Sequence, residues 1–224
     1  IPDHKKVILF PCRIHPQKRP FLMLEIAKRV IQRDENACFL VAGDGPQLSE
    51  LKSKITQAKL DDWFVCTGEL SQMEKAYADS DLTLICSLKE GLALTAYESL
   101  SMGVPVVSSD VGGQRDLIGV DVGALVPLLQ KEEDIDNRNF TKEEIDSYVT
   151  EISRILGNED LYNRMSLSCR KTRICRGSHL RTSAGYWSPP RNDTNVPHEA
   201  YTRENRSGRC HATLKAQIPP LLLP

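Results

Sequence analysis

Short apolar runs rich in β-branched residues alternate with longer stretches of helical periodicity from Lys6 to about Pro127. That rhythm predicts an α/β fold built on a parallel sheet. The strand candidates are Val7 to Phe10, Cys38 to Ala42, Trp63 to Cys66, Leu82 to Cys86, Val104 to Val107 and Ala124 to Val126. They read as continuous apolar runs, as strands covered by helices on both faces do. Six of them make a doubly wound, Rossmann-like domain. Between the strands, Pro20 to Gln32 places Phe21, Leu24, Ala27, Val30 and Ile31 at helical spacing, and Gln47 to Ala58 does the same with Leu48, Leu51 and Ile55. Gln72 to Tyr77 is a shorter helix, and Leu94 to Met102 is one stopped by Gly103 and Pro105. These stripes are expected to be core.

After Pro127, Thr141-Lys-Glu-Glu144 has the form of a capping box and opens a helix carrying Ile145, Val149, Ile152 and Ile155. Asn158 is placed to cap one more helix, Glu159 to about Arg170. From Lys171 the periodicity is lost, and the last stretch holds six of the 13 prolines. Charge divides at the same place: residues 1–170 carry −7 and residues 171–224 carry +6, although the whole chain carries −1. The expectation is one α/β domain over residues 1–170 and a disordered or frame-shifted tail over 171–224, because the tail has too little apolar area to offset its ordering entropy. Its basic excess, with Tyr186, Trp187 and Tyr201, is the pattern of a nucleic-acid arm, but no partner of that kind is expected.

Composition removes other classes. At 40% hydrophobic and 26% charged, the 224 residues are neither collagen, coiled coil nor wholly disordered. No apolar run approaches the roughly 20 residues needed to cross a bilayer. Seven cysteines without a CxxC pair argue against both a disulfide framework and a zinc ribbon, which fits a reducing, cytoplasmic setting. Cys12, Cys38, Cys66 and Cys86 lie in or beside strand runs and are expected to be small buried hydrophobes. The chain opens on Ile1 directly ahead of a strand pattern, so a piece of a longer protein is expected.

The sharpest chemistry lies in Glu90-Gly-Leu-Ala-Leu-Thr-Ala-Tyr-Glu98, which runs from a strand end through a tight loop into a helix. In open α/β sheets, ligands bind outside the carboxyl ends of the strands, and a helix start there offers unpaired amides to phosphate. Leu94 and Thr95 would supply those amides, while Glu90 and Glu98 would accept hydrogen bonds from sugar and ribose hydroxyls. Across the same cleft, Phe10-Pro-Cys-Arg13 to Lys18 leaves the first strand with two cations five positions apart, suited to a pair of phosphates. A second glycine-rich turn, Asp110-Val-Gly-Gly-Gln114, follows the next strand. Asp79-Ser-Asp81 has the form of a metal-binding pair but precedes a strand, so it is read as a helix-stop turn. A dinucleotide oxidoreductase is disfavoured because Pro11 to Lys18 contains no glycine.

With Val41-Ala-Gly-Asp-Gly-Pro46, Thr67-Gly68, Tyr77-Ala-Asp-Ser-Asp81 and Gly103-Val-Pro-Val-Val-Ser-Ser-Asp-Val-Gly-Gly113, these blocks stand in an order that closely resembles the C-terminal donor-binding domain of retaining glycosyltransferases of family 4, which have the GT-B fold. The resemblance implies one half of a GT-B enzyme that binds a nucleotide diphosphate sugar, with Arg13 and Lys18 on the diphosphate. It implies Glu90 on the donor sugar, Glu98 on the ribose, and the backbone of Gly91, Leu92, Ala93, Leu94 and Thr95 as the cradle. Thr67 to Leu70 would sit near the base. Gly43 and Gly45 would line the nearby wall or hold the loop. It further implies hexosyl transfer through Glu90, Arg13 and Lys18, no metal and no separate cofactor. The partner would be an N-terminal acceptor domain, without which the fragment is expected to be inactive, and the full enzyme could associate peripherally with a membrane. A non-catalytic nucleotide-sugar module and a GT-B epimerase or phosphorylase remain alternatives.

Overall fold

The computed structural model describes residues 1–175, apart from Leu92, Ala93 and Asn137, and four short strands beyond them. A six-stranded parallel sheet organises the first compact unit, Ile1–Arg176. Its strands are β1 (Lys6–Pro11), β2 (Ala37–Ala42), β3 (Phe64–Gly68), β4 (Leu82–Ile85), β5 (Val106–Ser109) and β6 (Gly123–Val126), in the spatial order β3-β2-β1-β4-β5-β6. The helices are α1 (Pro20–Arg33), α2 (Leu48–Gln57), α3 (Met73–Ala78), α4 (Leu94–Ser101), α5 (Gln114–Leu117), α6 (Lys142–Leu156) and α7 (Glu159–Cys175). β1 pairs with both β2 and β4, so the winding direction reverses between β1 and β4. A doubly wound sheet opens its ligand crevice at that reversal.

Alternation along the strands feeds two faces. Ile8 and Phe10 join a core with Leu22, Ile26, Tyr148 and Ile152, whereas Val7 and Leu9 pack with Leu40, Ala76 and Tyr77 on the other face. α7 closes one end, giving Tyr162 and Met165 to the first core and Cys169 to the cluster around α4 and β5. Burial pushes the Cys169 thiol up to about 12. Cys38 and Cys86 are buried as expected, whereas Cys12 and Cys66 are half-buried.

Several boundaries differ from the sequence expectation. β3 occupies the sheet edge, and its residues Val65 and Thr67 are exposed, so it is not covered on both faces. α5 is only four residues long, too short to show a period. α7 continues past Arg170 to Cys175, five residues beyond the expected end. Thr141 does cap α6, accepting from the Glu144 amide at 3.2 Å, and Asn158 Oδ1 accepts from the Leu161 amide at 2.9 Å. Asp81 is buried at the start of β4, accepting from the Val7 amide at 2.8 Å, so Asp79-Ser-Asp81 is a structural turn.

The second unit, Gly177–Pro224, contains two antiparallel pairs, β7 (Leu180–Thr182) with β8 (Gly185–Trp187) and β9 (Arg203–Glu204) with β10 (Cys210–His211). The rest of the tail, Tyr201 included, lies outside the described residues. Among the described residues no helix is long and apolar enough to cross a membrane.

Candidate functional site

The ends of β1 and β4 separate at the switch point, and a cavity of about 270 Å³ opens there. Phe10 to Arg13 form one wall, Leu84 to Ser87 the other, and Lys18, Glu90, Leu94 and Thr95 complete the lining. Five sequence-expected site residues therefore share one cavity: Arg13, Lys18, Glu90, Leu94 and Thr95. Arg13 is exposed at its rim. Lys18 ends a single 3-10 turn, Pro16–Lys18, that His15 opens by accepting from the Gln17 amide at 3.4 Å.

Lys18 Nζ donates to Glu90 Oε1, and Ser87 Oγ donates to the same oxygen at 2.6 Å. Among the described residues both bonds fall on Oε1, which leaves the lone pairs of Oε2 for a further donor. The lysine and the carboxylate are only 24% and 12% exposed, so water screens their attraction less than it would at the surface. Two more bonds tie these loops: Leu88 N donates to Gln17 O at 2.8 Å, and Gln17 Nε2 donates to Lys89 O at 2.9 Å. Burial pushes the Cys12 thiol well above the ordinary range, against the pull of Lys18, so it lines the cavity as a neutral, weakly polar group.

α4 presents its first turn to this cavity, where Leu94 is 38% exposed and the amides have no partner within the helix. One turn further on, Glu98 Oε2 accepts from the Tyr77 hydroxyl at 2.9 Å, and the same hydroxyl lies 3.2 Å from Thr95 O. Burial, then the neighbouring carboxylate, push the Tyr77 phenol far up, which keeps it a donor and holds Glu98 in place.

The glycines act through chain approach. A Cβ on Gly43 would lie 2.0 Å from Cys12 O, and one on Gly45 would lie 2.4 Å from Ile14 O, so both pack against the backbone of the Arg13 loop. Gly112, at φ +55°, presses likewise on Glu90 O, and the Gly113 amide donates to Gly91 O at 3.2 Å. Thr67 is exposed at the end of β3 and donates to Gly68 O at 3.0 Å, whereas Leu70 packs against the apolar cluster that includes Leu40, Ala76 and Tyr77. Among the described residues, Gly43, Gly45, Thr67, Leu70, Gly91 and Glu98 do not line this cavity. Leu92 and Ala93 lie outside the described residues. Sequence reasoning assigned no site role to Gln17, Arg19, Ser87 or Tyr77, although Tyr77 opens one of the quoted blocks, because the contacts of Gln17, Arg19 and Tyr77 reach residues far away along the chain and that of Ser87 with Glu90 carries no local motif.

The sequence model of the family described as Glycosyl transferases group 1 matches residues 1–172, and the chain belongs to that family. A curated relative, the UDP-Gal:alpha-D-GlcNAc-diphosphoundecaprenol alpha-1,3-galactosyltransferase of Escherichia coli, is 27% identical over 172 residues, covering 75% of this chain and 40% of that protein. Among solved structures, the pneumococcal O-GlcNAc transferase GtfA in complex with UDP and GlcNAc superposes with a TM-score of 0.66 at 17% identity, covering 78% of this chain and 35% of that one. The C-terminal domain of LpcC, a glycosyl transferase group 1 family protein from Francisella tularensis, gives 0.64 at 18% identity, over 79% of this chain and 87% of that one. These two likenesses establish the fold. The chain spans about two fifths of the length of the first curated relatives it matches.

Proposed function

We propose that this chain is the donor-binding half of a retaining GT-B glycosyltransferase of family 4, and that it holds a nucleotide diphosphate sugar in the cavity between β1 and β4. The observation that carries this is the convergence of Arg13, Lys18, Glu90 and the opening turn of α4 on one cavity at the sheet's switch point. The relative that covers three quarters of the chain is named for UDP-Gal, GtfA was crystallised with UDP, and the matched LpcC fragment is itself a C-terminal domain. All three agree with a donor half.

In this reading Arg13 and Lys18 neutralise the diphosphate, and the amides of Leu94 and Thr95 complete its shell. Glu90 receives a hydroxyl of the donor sugar through Oε2, and Glu98, held by Tyr77, receives the ribose. As the glycosidic bond breaks, negative charge grows on the leaving phosphate, and groups already aimed there lower the barrier without reorganising. The anomeric carbon is released from the nucleotide diphosphate and bonds, with retained configuration, to an acceptor hydroxyl whose proton passes to the departing phosphate. Positive charge comes from side chains and helix amides, so no resident cofactor or metal is called for. The acceptor half lies on a separate N-terminal domain, and turnover needs both, in a cytoplasmic enzyme that works at the membrane surface.

Calorimetric titration of UDP, GDP and ADP tests the assignment and reads out the base. Glu98→Ala is expected to weaken UDP binding about tenfold while leaving pyrophosphate affinity unchanged, since it removes a charge-assisted bond to the ribose alone. Equal losses for the two ligands would remove Glu98 from the ribose.

A further inference from the structure

Arg19 adopts the left-handed backbone conformation, φ 51° and ψ 57°, which disfavours any side chain bearing a Cβ. It is the N-cap of α1, and its carbonyl accepts from the Leu22 and Met23 amides, yet its side chain makes no capping bond. Glycine would suit the backbone better. The guanidinium is instead carried inward, leaving the residue 2% exposed. Nε donates to the Cys86 carbonyl just beyond β4, and Nη1 donates to Glu144 Oε1 in the first turn of α6 at 2.7 Å. Among the described residues Nη2 is buried without an acceptor. A strained backbone and an unsatisfied nitrogen are both costs that a side chain kept only for stability would not need.

What the side chain joins explains them. Lys18 is the preceding residue, and Cys86 begins the loop that carries Ser87 and Glu90. Lys18 and Glu90 make a partly exposed pair, whereas the Arg19 bonds beneath them are shut off from water and hold more firmly. We propose that Arg19 is a positioning residue of the donor site: its guanidinium sets the spacing between the Lys18 and Glu90 loops, and Glu144 anchors that setting on α6. This rests on the donor-binding reading of Lys18.

The test is a double-mutant cycle on UDP affinity, measured by calorimetry. Arg19→Gln is combined with Glu144→Gln so that neither charge is left buried alone, and the pair is crossed with Lys18→Ala. Lys18→Ala is expected to weaken UDP binding about tenfold in the native chain and only about twofold to threefold in the glutamine-pair background, which itself binds about fivefold more weakly. Fully additive losses, or native UDP affinity in the glutamine pair, would overturn the positioning role. A Lys18→Ala chain that binds UDP as well as the native one would instead overturn the donor reading. Arg19→Lys is the second variant, used if the pair fails to fold. It keeps a cation beside Glu144 but lacks the fork that also reaches Cys86 O, and it is expected to fold with a melting temperature lowered by several degrees and with severalfold weaker UDP binding. Native affinity in that variant would equally overturn the proposal.

Discussion

The chain in which Arg13 and Lys18 are both alanine is expected to bind UDP about a hundredfold more weakly than the native chain. A hydrogen bond to a charged group contributes roughly 1.5–3 kcal/mol, and two at the lower end multiply to that factor. The lower end applies because Lys18 already has an acceptor in Glu90, and part of its attraction to phosphate replaces that pair. Arg13 stands exposed at the rim, where water competes for its guanidinium. Calorimetry at low ionic strength is the measurement. A loss under threefold would show that the two cations do not meet the diphosphate.

Glu144→Ala is expected to be strongly destabilising. It leaves the Arg19 guanidinium buried beside Cys86 O with its ionic partner gone, and breaking a buried pair from one side costs about 3–5 kcal/mol. For a domain of this size that lowers the melting temperature by about 10 °C. Arg138→Ala provides the contrast. Its partner Glu50 sits on the surface, with the two side chains 45% and 43% exposed, and such pairs contribute under about 1 kcal/mol. Comparable melting shifts for the two variants would mean that the Arg19 pair is not the buried anchor described here.

The cleft residues were legible because their signals are local. A charge in the few residues after a buried strand run marks the carboxyl end of a parallel sheet, so Arg13, Lys18 and Glu90 could be placed on one edge before any contact was known. Glu144 shows where this stops. Its spacing from Thr141 is that of a capping box, and Thr141 does cap, but the carboxylate turns to Arg19, a partner 125 residues away along the chain that no short window contains. Tyr77 is similar, since its helical period marks a core residue and conceals the hydroxyl that fixes Glu98. The glycines at 43 and 45 carry a signal that a ligand and a neighbouring backbone would produce alike, and the closeness of Cys12 O and Ile14 O shows that the backbone alone requires them. β3 reads as a buried run, yet strand order, which composition does not encode, places it at the edge.

A crystal structure of the chain with UDP tests the central claim most directly. The expected result has the diphosphate within about 3 Å of Arg13 or Lys18 and of an amide in the first turn of α4, with the ribose against Glu98. A nucleotide seated elsewhere on the sheet, with the cavity between β1 and β4 empty of it, would contradict the account.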